Sequence, residues 1–518
     1  MSTGTNNTEQ TAPAAQAQQA GSANAGSKKE ITLLLQQQKA LKAMQEFCNG
    51  RNGVFILKGY AGTGKTTLMK VFTAWLTNSK KFKNAATLSA AMRYKDGSQF
   101  VALASTGRAA KVLSDKIGQP ACTVHSWIYS YKGFNQDLDK MTETIEKNNG
   151  VDSTGQLLLQ FAFEPLEESP VETIYIIDES SMISDTKELN PPQAIFGSGQ
   201  LLKDLLEFDP FGKFIFIGDE CQLPPVTGTT SPALAPDYIT SNYHLPVSVA
   251  TLTEIVRQQS DNDIIQAADR MRRLCLNPPA VKWGKFPFRG YRHIKIVNSQ
   301  RELDEMYVDE IKRHGYNATT LITGSNKSCM LITHSVRPQL GFTSPRLMPG
   351  ELLLVTQNNI TTGLMNGDLV KVVSVGNRTR RANLTFLEVE VEETATGATF
   401  NTILIEELLY SIYTNLSQRQ QKALFIDFYY REKEKHIKPK NQQFDEDQRD
   451  DPYLNALRAV YGYAITCHKS QGGEWPLVFL DIPRRISHES KSTDYQWLYT
   501  AMTRASDTLV VVNDFYIG

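Results

Sequence analysis

FILKGYAGTGKTTLMKVFTAWL, residues 55–76, decides how the rest of this chain is read. It contains Gly59-x-x-x-x-Gly64-Lys65-Thr66, an apolar strand running into a glycine-rich turn and then into a helix with Leu68, Phe72, Trp75 and Leu76 at helical spacing. Glycines at Gly59, Gly62 and Gly64 let backbone N–H groups close around phosphate oxygens at a helix N-terminus. Lys65 reaches the β- and γ-phosphates, Thr66 offers its hydroxyl to Mg²⁺, and Thr67 extends the same turn. The alternative, a glycine-rich turn without a ligand, does not require the lysine or the flanking strand and helix.

A phosphate loop needs an acidic strand end beside it. TIYIIDESSM, residues 173–182, supplies Asp178 for the Mg²⁺ shell and Glu179 to polarise an attacking water. An Asp-Glu pair there could instead cap a helix. IFIGDECQLPPV, residues 215–226, ends a further strand and places Gln222 where it could contact the γ-phosphate or the water. ATP with Mg²⁺ is the expected cofactor pair.

The surrounding chain is 518 residues long, enough for two to four domains. Apolar content of 41%, charged content of 21% and zero formal net charge are ordinary for a soluble globular protein and identify no partner. The six cysteines, Cys48, Cys122, Cys221, Cys275, Cys329 and Cys467, form no Cys-x-x-Cys and have no histidine at zinc spacing, as expected in a reducing compartment. No apolar run approaches the roughly 20 residues of a membrane helix, and no signal peptide is legible, so a soluble protein of the cytoplasm or nucleoid with no membrane partner is expected. Residues 1–29 lack aromatic side chains and read as a disordered tail.

From Ile31 onward, short apolar runs alternate with helical stretches: GVFILKG, FVALAS, TIYIID and KFIFIGD early, SCMLITH, WPLVFLD and TLVVVND late. Unalternating strands of this kind predict parallel sheets covered on both faces. Between the halves, GELLLVTQNN, GDLVKVVSVGN, LTFLEVEVEE and TFNTILIEE alternate in polarity and predict a small antiparallel barrel. The stretch LFIDFYYREKEKHIKPK, residues 424–440, interleaves aromatic and basic residues; it suits either a stacked single strand or an amphipathic helix packing its aromatic side.

ASTGRAAKVL, TVHSWIY, IIDESSM, GDECQLPPV, LTEIVRQ, AITCHKSQGGEW and LYTAMTRAS stand in the order of the motifs of superfamily-1 helicases. The chain resembles the RecD, Dda and Pif group of subgroup B from about Leu33 to its C-terminus. The resemblance implies an α/β fold of tandem RecA-like domains, parallel sheets flanked by helices. A β-hairpin-type insertion belongs in the first and an SH3-like β-barrel insertion in the second. The boundaries so implied are 30–245 with an insertion at about 130–168, and 246–518 with a barrel and helical insertion at about 347–455. Phe134, Phe161 or Phe163 could separate strands from the first insertion, although core packing is the commoner fate of such residues.

The resemblance also assigns roles. Gln37 would read the adenine, Glu474 would lie near the ribose, and Arg257 and Arg504 would reach the γ-phosphate from the second domain. Thr106, Arg108, Thr123 and His125 in the first domain, and Thr466, His468 and Ser470 in the second, would contact the sugar-phosphate backbone of single-stranded or forked DNA. The implied activity is an ATP-dependent DNA helicase, a monomeric motor moving 5′ to 3′ and serving repair, recombination or replication with protein partners. Two other readings are an RNA helicase, and a switch or assembly ATPase that needs no nucleic acid. Adjacent Cys467 and His468 suggest a nucleophilic pair, but on a strand their side chains would point to opposite faces.

Overall fold

The structure, a computed structural model, describes residues 31–79, 81–89, 92–93, 97–134, 159–166, 171–187, 194–226, 228–256, 262–438, 441–488 and 491–518. The expected tail at 1–29, residues 135–158 and 167–168 of the expected first insertion, and Arg257 lie outside them.

The strand Gly53–Gly59 is buried along nearly its whole length because both its faces are covered. Phe55 and Leu57 face a core made with Met44, Leu68, Phe72 and Leu113. Val54 and Ile56 face the opposite core with Tyr175, Phe214, Leu205 and Leu234. The period-two split of one apolar run between two cores is what a doubly covered sheet demands. Its neighbours run Val247–Leu252, Gly53–Gly59, Lys213–Gly218, Thr173–Asp178, Ser98–Ala104 and Phe82–Asn84, with Ala121–Thr123 also pairing Ser98–Ala104. Every pairing in this seven-stranded sheet is parallel. The carboxyl ends of the two central strands Thr173–Asp178 and Lys213–Gly218 therefore emerge beside the phosphate loop, where ligands bind in open α/β sheets.

A second sheet, also all parallel, is ordered Ile294–Val297, Ala505–Val512, Trp475–Leu480, Thr319–Thr323 and Ile465–Thr466. One expected strand is corrected here. SCMLITH lies in the helix Asn326–Gln339, and the strand of this region is the preceding Thr319–Thr323. The Ser325 hydroxyl accepts the Ser328 N–H at 3.1 Å and starts the helix, and Ile332 and Val336, four apart, carry its buried side. A short apolar run does not distinguish a buried strand from a buried helical face.

Between Thr319–Thr323 and Ile465–Thr466 the chain builds a five-stranded antiparallel sheet, ordered Thr399–Ile405, Leu384–Glu393, Leu369–Arg381, Leu352–Val355 and Ala459–Tyr461. Its long hairpin turns at Ala382 and Asn383, both at positive φ, as a two-residue primed turn requires. The helix Gln418–Glu434 follows; its Phe425, Phe428 and Tyr429 pack around Phe444. Arg431 pairs with Asp427 and Asp451. Those aromatic side chains are thus core, as the amphipathic alternative has it.

A separate three-stranded sheet joins Ser130–Phe134, Leu159–Ala162 and Ala194–Phe196. Phe161 stacks on Phe196 at 4.8 Å between centroids, and Phe163 packs edge-on against Tyr129. Among the described residues, no helix is long and apolar enough to cross a membrane.

Candidate nucleotide site and the cleft around it

The phosphate loop is shaped by left-handed glycines. Gly62 and Gly64 sit at φ 77° and 75°, and Gly64 is the N-cap of the helix Lys65–Asn78 without a side-chain cap. A Cβ on Gly64 would come within 2.4 Å of the Gln37 amide nitrogen. Lys65 folds back so that its Nζ donates to the carbonyls of Gly59 at 2.6 Å and Tyr60 at 3.2 Å. Thr66 is half-buried at the helix start and Thr67 is exposed.

Asp178 ends its strand, and Glu179 follows in the left-handed region at φ 50°. A glutamate held there stores backbone strain, which concentrates where a side chain must be aimed. Burial and the adjacent Glu179 push the Asp178 carboxyl up to about 7, against the pull of Lys65 and Lys116. Asp178 and Glu179 thus set two carboxyl groups side by side at the strand end near Lys65. Among the described residues no three His, Cys, Asp or Glu side chains cluster as a metal cage. Mg²⁺ would take one or two protein oxygens here and keep water and phosphate for the rest.

The second half of the chain closes over this loop. Tyr499, on the helix Ser492–Met502, donates its hydroxyl to Asp219 Oδ2 at 2.7 Å and accepts the Ala61 N–H at 2.8 Å. Asp219, fully buried, also accepts the Cys221 N–H at 3.0 Å, and burial raises its carboxyl above the usual range. The next residues are gripped from the same side: Thr500 Oγ1 accepts the Leu223 N–H at 2.8 Å, Gln496 donates to the Glu220 carbonyl and Gln471 to the Leu223 carbonyl, both at 3.2 Å. Gln222 is buried with its Oε1 unpartnered. Arg272, on the helix Asp263–Leu276, lies over the Tyr60 ring at 4.1 Å. Sequence reading missed Tyr499, Asp219 and Arg272, since nothing in spacing says which residue reaches across a cleft; Asp219, inside the quoted GDECQ, was the legible one.

The remaining expected residues fall as follows. Gln37 is buried; its amide accepts the Leu34 N–H and donates to the Thr63 carbonyl, both at 2.9 Å, so it braces the phosphate loop itself. Arg504 is buried and donates to the carbonyls of Thr500 at 3.1 Å and Gly473 at 3.3 Å. Arg108 lies over the Trp475 ring at 4.5 Å and donates to the Gly367 carbonyl at 3.4 Å, joining both halves and the antiparallel sheet. Glu474 is exposed and 3.4 Å from Lys116.

Thr106 and Thr123 are N-caps, accepting the N–H groups of Ala109 at 3.2 Å and Ser126 at 3.0 Å. His125 meets Phe196 edge-on at 5.2 Å, and burial lowers its pKa. Thr466 is the N-cap position of the helical turn Cys467–Ser470, not part of a strand running on through Cys467 as expected. Cys467 points into the core with its Sγ toward the Trp497 carbonyl at 3.4 Å, and burial pushes its thiol up to about 12. Buried Ser470 donates to the Cys467 carbonyl at 2.8 Å. His468 lines a separate cavity with Gly324 and Trp497, and burial lowers its pKa.

Residues 34–275 match the family model of an AAA domain, and residues 461–512 that of the UvrD-like helicase C-terminal domain. The chain is 24% identical over 500 residues to an uncharacterized protein of Methanocaldococcus jannaschii, covering 89% of this chain and 37% of that one. It is 23% identical over 474 residues to the ATP-dependent RecD2 DNA helicase of Deinococcus radiodurans, covering 87% of this chain and 46% of that one. The chain thus spans less than half the length of either relative. The solved structure of a Pif1 helicase from Bacteroides in complex with ADP-AlF3 and ssDNA aligns over 94% of each chain at 16% identity, with a TM-score of 0.45. The AAA match takes in the phosphate loop and the acidic strand ends, and the UvrD-like match takes in the Cys467 turn and the Tyr499 helix, so the chain carries an AAA domain followed by a UvrD-like helicase C-terminal domain.

Proposed function

We propose that this protein is an ATP-driven DNA helicase that moves 5′ to 3′ along single-stranded DNA and unwinds the duplex at forks. The observation that carries the reading is the Tyr499 bridge, which ties the phosphate loop and the Asp219 strand end to a helix of the second half. A group held across a cleft changes its contacts when the cleft changes, so occupancy of the loop and the relative position of the halves are coupled. The likeness to a relative named as an ATP-dependent DNA helicase supports the same reading.

In this reading the units are 30–245, with an insertion at about 130–168, and 246–518, with an SH3-like and helical insertion at about 347–455; the strands Val247–Leu252 and Ala459–Tyr461, which pair into the first sheet and the antiparallel sheet, lie just past those bounds. ATP binds on Gly59, Gly62, Gly64, Lys65, Thr66 and Thr67, with Gln37 at the adenine side and Glu474 toward the ribose. Thr66 and Asp178 hold Mg²⁺, which supplies charge neutralisation for phosphoryl transfer. Glu179 orients and deprotonates the water, Gln222 senses it, and Arg257 and Arg504 meet the developing charge once the cleft closes. Thr106, Arg108, Thr123, His125, Thr466, His468 and Ser470 grip the strand backbone, for which Arg108 must leave Trp475. The protein acts as a monomer in the cytoplasm or on the nucleoid, in repair, recombination or replication with protein partners.

The test is hydrolysis and unwinding measured together on forks with opposite tails. DNA-stimulated hydrolysis with unwinding only from a 5′ tail is expected. Stimulation by matched RNA alone would transfer the reading to RNA, and hydrolysis indifferent to nucleic acid would sink it.

A further inference from the structure

The cavity between the three-stranded sheet and the helices Gln418–Glu434 and Gln442–Asp450 touches neither the phosphate loop nor the residues expected to grip the strand. Its volume is about 530 Å³, and Tyr131, Phe161 and Phe425 form its aromatic wall. That volume lies within the range of small-molecule sites, about 300–1,000 Å³. Much of the remaining lining is amide: Gln357, Gln448 and Asn455 stand there with Asp445. The side-chain oxygens of Gln357 and Gln448 are buried without a hydrogen-bond partner. An unsatisfied buried acceptor costs free energy that a ligand donor would recover.

Arg458 gives the cavity its charge. Arg449 lines the cavity too, while Arg337, Arg381 and Arg431 elsewhere in this part of the chain each meet a carboxylate, Glu351 for the first and Asp427 for the other two. Arg458 is half-buried and lines the cavity, and its Nη1 donates at 3.0 Å to the neutral Asn415 side chain. Burial pulls its guanidinium down to about 10. A planar ring wall, an edge offering both donors and acceptors, and a guanidinium bonded to a neutral amide are together the complement of a base joined to a phosphate.

We propose that this cavity binds one nucleotide, its base against Tyr131, Phe161 and Phe425, its edge on Gln357 and Gln448, and its phosphate on Arg458. The nucleotide could arrive free, as a nucleoside monophosphate, or within a single strand splayed at a duplex end; only the second source rests on the helicase reading above.

The experiment uses the full chain with a non-hydrolysable ATP analogue saturating the phosphate loop. One arm titrates 2-aminopurine deoxyriboside monophosphate; the other uses forks with 2-aminopurine at the first unpaired position of either tail. Stacking quenches the probe, and the arm that is quenched identifies the source. In Arg458→Gln and in Gln448→Leu, affinity in that arm falls about tenfold or more, while melting temperature and DNA-stimulated hydrolysis hold. If Arg458→Gln does not fold, Gln448→Leu and Tyr131→Ala decide. No quenching in either arm, or quenching that these variants leave intact, overturns the proposal. Absence of DNA-stimulated hydrolysis in the unaltered chain sinks the motor reading alone and leaves the monophosphate arm to judge the cavity.

Discussion

The hydroxyl of Tyr499 stands between Asp219 Oδ2, 2.7 Å away, and the backbone nitrogen of Ala61, 2.8 Å away. Tyr499→Phe keeps the ring in its place and removes both bonds, leaving a buried carboxylate oxygen and a loop N–H unpaired. The expected loss of stability is about 1–3 kcal/mol, measured by chemical denaturation. Hydrolysis without DNA is expected to change less than its stimulation by DNA, because the lost bonds are those that join the loop to the second half.

Lys65→Ala and Glu179→Gln each remove a group from the proposed reaction while leaving the fold. Steady-state hydrolysis is expected to fall by about a hundredfold or more in either. Lys65→Ala also weakens nucleotide binding, whereas Glu179→Gln retains it; equilibrium binding of a labelled nucleotide separates them. Turnover near that of the unaltered chain in either variant would remove the site assignment.

The carboxyl of Asp178, raised to about 7, gives stability a pH dependence with a definite sign. Between its ordinary value near 3.8 and about 7 the folded chain holds more protons than the unfolded chain, so this contribution is full at the acid end and is lost as pH rises through 7. Asp178→Asn removes that loss. Melting curves at pH 6 and pH 8, without nucleotide or Mg²⁺, are expected to show the variant gaining on the unaltered chain at the higher pH. Mg²⁺ with nucleotide is expected to stabilise only the unaltered chain at pH 8.

Trp475 is 2% exposed and carries the guanidinium of Arg108 on its face. Trp475→Ala is expected to cost about 3–5 kcal/mol in denaturant titration. Arg108→Lys keeps the charge and loses the flat stacking group, so a smaller loss of stability is expected with the salt dependence of DNA binding retained.

Cys467, with its thiol pushed up to about 12 by burial, is expected to resist thiol-directed labelling in the native chain and to react only after unfolding. Cys467→Ala is expected to leave hydrolysis intact. Labelling of the native chain at Cys467, followed by mass spectrometry, would contradict its placement in the core.

The phosphate loop was legible because its chemistry is local: glycines at φ 77° and 75°, a lysine and a threonine must follow one another within one turn for backbone N–H groups to converge. The same holds for the unalternating strands, whose buried faces are set by period-two spacing. The helix at Asn326–Gln339 was misread because Ser325 as a cap outweighed a strand-like run, and the choice is made by what the run packs against. The resemblance assigned Arg108 and Gln37 to ligands; in the structure one stacks on Trp475, 367 positions further along the chain, and the other hydrogen-bonds to the phosphate loop itself.

The sequence by itself thus determined the phosphate-binding turn, the acidic strand ends and the alternation of strands with helices, because each is fixed by contacts or periodicities within a few residues. Only the tertiary structure decided that Tyr499 completes the loop, that Cys467 and His468 part company into core and cavity, and that Arg458, bonded to Asn415, lines a cavity with an aromatic and amide wall. Those relations join residues far apart in the chain, and their energies come from burial and from the partners that folding happens to bring within reach.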